Sequence, residues 1–210
     1  MKKNNLVRER AEKYKIPLPP SAKGESSIYS PSNKKVKGEF EEIHYMSEEE
    51  FLEKAPENQI WELNYGELIV HSPIGYVHKD LDKFLFMTIQ YYVNTRELGK
   101  VYNSPAAIKL DKDLIYEPDV FFVKKGNKGK IEKYLFVGVP DLVVEVVSPG
   151  HELYDKRTKF VNYEKYGVKE YWILDPQKKK YNFYQNIRDK FKEKLPKERI
   201  IKSNEIKDFY

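Results

Sequence analysis

Apolar and polar residues alternate along this chain in two rhythms, one of about two residues and one of about 3.6, and the rhythms mark out its elements. "SEEEFLEKA" opens with Ser47 and carries Glu50 three residues later, the pattern of a capped helix start. "QIWELNY" and "GELIVHSP" are β-rich runs on either side of Asn64–Tyr65–Gly66 and predict a hairpin. Leu81, Leu85, Ile89, Tyr92 and Val93 recur at helical spacing, and Gly99 is the expected end of that helix. "VYNSPAAIKL" and "LIYEPDVFFV" read as two strands joined by the turn Asp111–Lys112–Asp113, and "KKGNKGKIEKY" as a basic loop. "DLVVEVVS" is apolar on both faces, as a central strand should be. "HELYDKRTKFVNYEKYG" predicts a helix closed by Gly167. "EYWILDP" and "YNFYQN" follow as strands, and the last twenty residues suggest another hairpin.

Hairpin, helix, strands, helix, strands is the order of an α/β (α+β) domain, a mixed β-sheet flanked by helices. Residues 1–44 do not fit it. "IPLPPSAKGESSIYSPSNKKVKGE" is rich in Pro, Ser, Gly and Lys without periodicity, so 1–44 is expected to be a basic, low-complexity N-terminal arm and 45–210 the folded domain. The net charge of +5 permits nucleic-acid binding without showing it, because the excess is small and spread out. With no cysteine, disulfides and thiolate metal sites are excluded. No apolar run approaches the ~18 residues of a membrane span, and no signal-peptide core follows the basic start, so a cytoplasmic protein is expected.

Two of the most apolar strands carry acids. Glu117 and Asp119 lead into Val120–Val123, and Glu145 stands among valines. Strand side chains alternate, so Glu117, Asp119, Phe121 and Val123 share one face, and Asp141, Val143, Glu145 and Val147 another. If the strands are neighbours, Asp119 and Glu145 converge near their ends. Buried carboxylates tend to protonate or recruit a cation, and a hard ion with oxygen ligands suits two of them. Asp155, Lys159 and Tyr163 then fall at i, i+4 and i+8 on one helix face, which would bring an ammonium beside the acids. Each of these residues alone is equally readable as a surface charge or a simple ion pair. So is His78 as a polar helix-start residue. Glu62 and Glu67 flank the hairpin turn, from which one of them can reach the site, and they read best as solvated hairpin charges.

The runs "WELNYGELIVHSP", "EPDVFFV", "PDLVVEVVSPG" and "DKRTKFVNYEKYGVKEYWILDP" together resemble the Uma-two endonuclease family, within the PD-(D/E)XK restriction-nuclease superfamily. The resemblance covers about Met46 to Tyr184. It implies a restriction-endonuclease-like core with Mg²⁺ (or Mn²⁺) held by Asp119, Glu145 and the carbonyl of Val146. It also implies catalytic roles for Asp119, Glu145, Lys159 and His78. Superfamily members usually carry lysine two residues after the second acid, where this chain has Val147, and Lys159 matches a lysine that the family places on the next helix.

The function this implies is metal-dependent hydrolysis of DNA phosphodiester bonds by a homodimer. A non-catalytic DNA-binding or scaffold protein that keeps the nuclease fold is the alternative, motivated by Val147. Hydrolysis of another phosphoester is a third reading.

Overall fold

The structure, a computed structural model, describes residues 44–56, 59–71, 74–148, 154–198, 200 and 202–209. Of the expected N-terminal arm, all but His44, which opens the first strand, lies outside the described residues.

Helix α1 (Glu48–Lys54) has the expected capping box between Ser47 and Glu50. Strands β2 (Trp61–Asn64) and β3 (Glu67–Val70) form the predicted hairpin around Tyr65 and Gly66, both at positive φ as a tight two-residue turn needs. Helix α2 spans Tyr76–Thr95. It ends four residues before Gly99, which instead opens β4 (Gly99–Asn103). A Cβ on Gly99 would stand 2.1 Å from the Val123 carbonyl oxygen, so the glycine serves close strand approach rather than helix termination.

Two runs expected as single strands each break in the middle. "VYNSPAAIKL" divides into β4 and β5 (Ala107–Asp111), and "LIYEPDVFFV" into β6 (Leu114–Tyr116) and β7 (Val120–Lys124). The halves belong to different sheets, because the chain crosses between sheets at Ser104–Ala106 and again at Glu117–Asp119. Pro118 has no N–H to give a ladder, which suits a crossing point. The basic "loop" also contains a strand, β8 (Lys130–Glu132), paired with β9 (Leu135–Val137).

A seven-stranded sheet therefore contains β2, β3, β5, β6, β8, β9 and the short β1 (His44–Tyr45), in the order β1-β3-β2-β6-β5-β9-β8. A six-stranded sheet runs β13-β12-β11-β10-β7-β4, with β10 (Leu142–Val146), β11 (Glu170–Asp175), β12 (Lys180–Asn186) and β13 (Phe191–Glu193). Each sheet is mixed: β10 and β11 are parallel, as are β5 and β9. The α/β class holds, with two sheets where one was expected. The C-terminal hairpin does not form; after β13 the described residues show a single bridge, Lys197 to Ile200, and then Ile206 and Phe209 packing beside α2.

Strand β10 lies between β7 and β11 and is buried on both faces. Val144 and Leu142 meet Ile89 and Val93 of α2 on one face. Val143 and Phe121 meet Ile108, Leu114 and Tyr116 of the other sheet on the opposite face. The sheets thus pack against each other over one core, and α2 covers the outer face of the six-stranded sheet.

The helix after β10 is irregular at its start. Tyr154–Lys159 is wound as a π-helix and continues into α3 (Phe160–Tyr166). Gly167, at φ 88°, ends it as predicted, its N–H donating to the Tyr163 and Glu164 carbonyls. Phe160 holds the helix to the sheet through Tyr171, Tyr184 and Phe191, whereas Leu153 lies outside the described residues.

Candidate active site

Asp119 stands one residue before β7, at the point where the chain has just crossed from the other sheet. Val120 pairs with Val144, so the next position on β10 brings Glu145 alongside Asp119. Both side chains are buried and line one cavity of about 510 Å³. The sequence expectation that these acids sit on neighbouring strands at one site matches this arrangement.

Each acid is held by specific donors. The Val146 N–H donates to Asp119 Oδ2 at 2.7 Å, and His78 Nε2 lies 2.8 Å from Oδ1. An ionised carboxylate only accepts, so the proton of that ring belongs on Nε2, and Nδ1 can accept from the Ser148 hydroxyl 3.0 Å away. Glu145 Oε1 accepts from Lys159 Nζ at 2.9 Å and from the Tyr163 hydroxyl at 3.0 Å. Lys159 is 1 % exposed and reaches two further acids, Glu62 Oε1 at 2.8 Å and Asp155 Oδ1 at 3.6 Å. The stripe Asp155–Lys159–Tyr163 therefore converges on Glu145, starting from a π-helical turn.

Of the two hairpin acids, Glu62 is the one that reaches the site. It is fully buried, against the expectation of a solvated hairpin charge. Pairing of β2 with β6 carries it inward, where it also accepts from the Glu117 N–H at 2.8 Å and sits 3.1 Å from His71 Nε2. The signal was present in kind: an acid between Trp61 and Leu63 is the same anomaly as Glu145 among valines. Its meaning depended on a pairing about 50 residues distant in sequence. Glu117 carried the same signal as Asp119, leading with it into an apolar strand, whereas His71 and Ser148 had none comparable. Glu67 is partly exposed at the hairpin, in keeping with its surface reading. Val147 belongs to the core that packs around Tyr163 and Tyr171, and the ammonium beside Glu145 comes from Lys159.

Electrostatics divides the acids. Burial pushes the Glu62 carboxyl up, but Lys159 and His71 overcome it and hold it at about 2. Burial pushes Asp155 to about 6, with Lys159 opposing and Glu62 and Asp119 reinforcing. Burial raises Glu145 well above the usual range; Lys159 works against the shift, and Asp155, Asp119 and Glu62 add to it. Desolvation disfavours the Lys159 ammonium, yet Glu145, Glu62 and Asp155 outweigh it and keep the amine charged.

Four buried carboxyl groups thus crowd around one ammonium, with two histidines at their edge, and the protonated form that burial favours at Glu145 relieves part of that crowding. Among the described residues no three His, Asp or Glu side chains form a ready ligand set. Asp119 and Glu145, two carboxyl groups at one cavity, fit a hydrated Mg²⁺, which takes one or two carboxylates and completes its shell with water and phosphate oxygens.

A family model described as "Putative restriction endonuclease" matches residues 48–204. The chain belongs to the Uma2 family. Among curated proteins none matches it. This Uma2 chain is also similar in structure to a putative nuclease belonging to DUF820 from Anabaena variabilis. The TM-score is 0.60 at 17 % identity, over 70 % of this chain and 83 % of that one. That likeness bears on the fold, which is a nuclease-like one. The buried acids and Lys159 all fall inside the Uma2 match, as do α2 and the C-terminal segment up to residue 204. No helix among the described residues is long and apolar enough to cross a membrane.

Proposed function

We propose that this Uma2 protein is an endonuclease that hydrolyses DNA phosphodiester bonds with the help of Mg²⁺ or Mn²⁺. The observation that carries this reading is the excess of buried carboxylate around a single buried ammonium, at one cavity, in a chain of an endonuclease family. Asp119, Glu145 and the Val146 carbonyl would hold the ion, and the ion would supply charge stabilisation for the scissile phosphate and a more acidic water.

The chain's own groups prepare that chemistry. Val146 N–H and His78 fix the two oxygens of Asp119 at the cavity wall. Lys159 and Tyr163 share one oxygen of Glu145 and orient the other. Burial keeps the Tyr163 phenol protonated, so it remains a donor. The Lys159 ammonium offers a fixed positive charge where negative charge develops on the phosphate, and Glu62 and Asp155 hold it in place. His78, bridging Asp119 and Ser148 at the cavity wall, is placed to accept or return a proton. A twofold assembly would match the symmetry of a duplex cut on both strands.

The test is plasmid nicking by the purified protein with Mg²⁺ or Mn²⁺, read on a gel. Cleavage is expected with either ion and none in EDTA. Lys159→Ala should lower it by about 10²-fold or more, the size of one lost electrostatic stabiliser, while filter binding of the same DNA changes little. No cleavage with either ion, or a fully active Lys159→Ala protein, overturns the reading.

A further inference from the structure

Helix α2 has two apolar stripes, and the sheet covers only one. Leu81, Leu85, Ile89 and Val93 face the core. On the opposite side Val77, Phe84, Met87 and Tyr91 are 62, 63, 57 and 73 % exposed. With exposed Asp80 and Asn94 they occupy positions 77, 80, 84, 87, 91 and 94, a 3-4 spacing kept for about two and a half heptads. That is the a/d spacing of a helix built to pack along another helix. A chain that needed only one buried face would have no reason to keep it.

We propose that this face is the dimer interface of the protein, and that its occupant is α2 of a second copy, running antiparallel about a twofold axis between Phe84 and Met87. Three observations select a second copy in this orientation. In an antiparallel seam a and d positions face each other. Phe84 then packs on Met87 of the second copy, apolar on apolar. Asp80 meets Tyr91 of the second copy, where a phenol can donate to the carboxylate. Val77 meets Asn94 at each end. A parallel seam would instead set Asp80 against Asp80, two like charges in a desolvated layer.

The third observation is area. Exposed aromatic side chains offer about 150–250 Å² each, so Tyr76, Phe84 and Tyr91 with Val77 and Met87 present roughly 700 Å². A stable interface takes about 800 Å² from each partner. Tyr76 and Val77 lie both in this face and on the cavity wall, so an antiparallel seam sets the two cavities at its opposite ends. The inference supplies a surface for the twofold assembly of the nuclease reading but does not use its chemistry, and it is tested without any cleavage assay.

Sedimentation velocity of the full chain at micromolar concentration should give twice the 25.0 kDa of one chain. Phe84→Glu combined with Met87→Glu should give the monomer, melting below the micromolar wild-type dimer by the lost association but at the temperature of wild type diluted to monomer, since neither residue belongs to the fold's own core. The register has its own test, because the chain has no cysteine. Asp80→Cys combined with Tyr91→Cys should cross-link into a dimer under copper-phenanthroline oxidation. Asp80→Cys alone should not, its two copies lying about eleven residues apart along the seam, about 16 Å. A monomeric wild type overturns the proposal. So does a double glutamate variant that stays dimeric, or one that melts below wild type diluted to monomer, which would mean that residues 1–43 of the same chain cover this face. Cross-linking through Asp80→Cys alone overturns the antiparallel seam.

Discussion

At the scale of single residues, burial raises a carboxyl pKa and a neighbouring ammonium lowers it, and around Lys159 the balance differs from acid to acid. Glu62 contacts the ammonium at 2.8 Å and has His71 on its other oxygen, so it is held low; Asp155, 3.6 Å away, is left near 6. The two shifts affect stability in opposite senses. Glu62, lowered from 4.5 to about 2, stabilises the fold above pH 4.5, and that contribution is lost as the pH falls toward 2. Asp155, raised from 3.8 to about 6, favours the fold below pH 3.8, and that contribution is lost as the pH rises through 6. Asp155→Asn removes the second effect alone. Its unfolding free energy should match the wild type near pH 3.5 and exceed it by on the order of 2–3 kcal/mol at pH 7.5, since each pH unit between the unfolded and folded pKa is worth about 1.4 kcal/mol. Urea titrations at the two pH values measure this; an equal difference at both would show that Asp155 ionises without penalty. Asp155, like Asp119, Glu145 and Lys159, was legible because it sits in a short stretch whose local spacing carries the information. Glu62 was not, since nothing in "WELNY" says which strand will lie beside it.

At the scale of elements, periodicity located almost every strand and helix but not which sheet each strand joins. The breaks at Ser104–Ala106 and Glu117–Asp119 are sheet-to-sheet crossings, and a crossing keeps the same apolar alternation on both sides because both halves are buried. A proline stands in each, Pro105 in the first and Pro118 in the second, but a proline alone does not say that the next strand joins another sheet. The π-helical turn Tyr154–Lys159 was equally invisible, as i and i+4 stay close in either winding. Glycines show the same split between local and long-range causes. Gly167 has φ 88° and nothing within 4 Å of an added Cβ, so its demand is purely on the backbone and its position at a helix end could be read directly. Gly99 is required by β7, a partner more than twenty residues away in sequence, whose backbone a side chain would strike. Gly167→Ala should therefore cost about 1 kcal/mol, and Gly99→Ala about 3 kcal/mol or more, the upper range of overpacking. Thermal or urea unfolding of the two variants decides the order; an equal cost would mean that β4 shifts freely from β7.

At the scale of the whole molecule, the site draws one acid from each of four places: Glu62 from β2, Asp119 from the crossing into β7, Glu145 from β10 and Asp155 from the π-helical turn. These belong to both sheets and to the helix that closes them. Carboxylates from so many elements repel one another, and the fold offsets this with Lys159 and with raised pKa values at Glu145 and Asp155. In a metal-dependent nuclease, a divalent cation completes the compensation. Its binding would then tie the elements together and favour the ionised form of Glu145, so protons leave as the ion enters. That linkage is measurable in two ways. Mn²⁺ or Mg²⁺ at about a hundred times its dissociation constant should stabilise the fold by about 2.7 kcal/mol, and the gain should be smaller at pH 6 than at pH 8, because the ion competes with protons at the lower pH. Calorimetric titration in two buffers of different ionisation enthalpy should report net proton release near pH 7, and Glu145→Gln should abolish both the release and the stabilisation. Binding with no buffer dependence would mean that Glu145 is already ionised in the absence of the ion. The carboxylate excess would then be borne by the protein alone, and the case for a cation at this site would rest on Asp119 without Glu145.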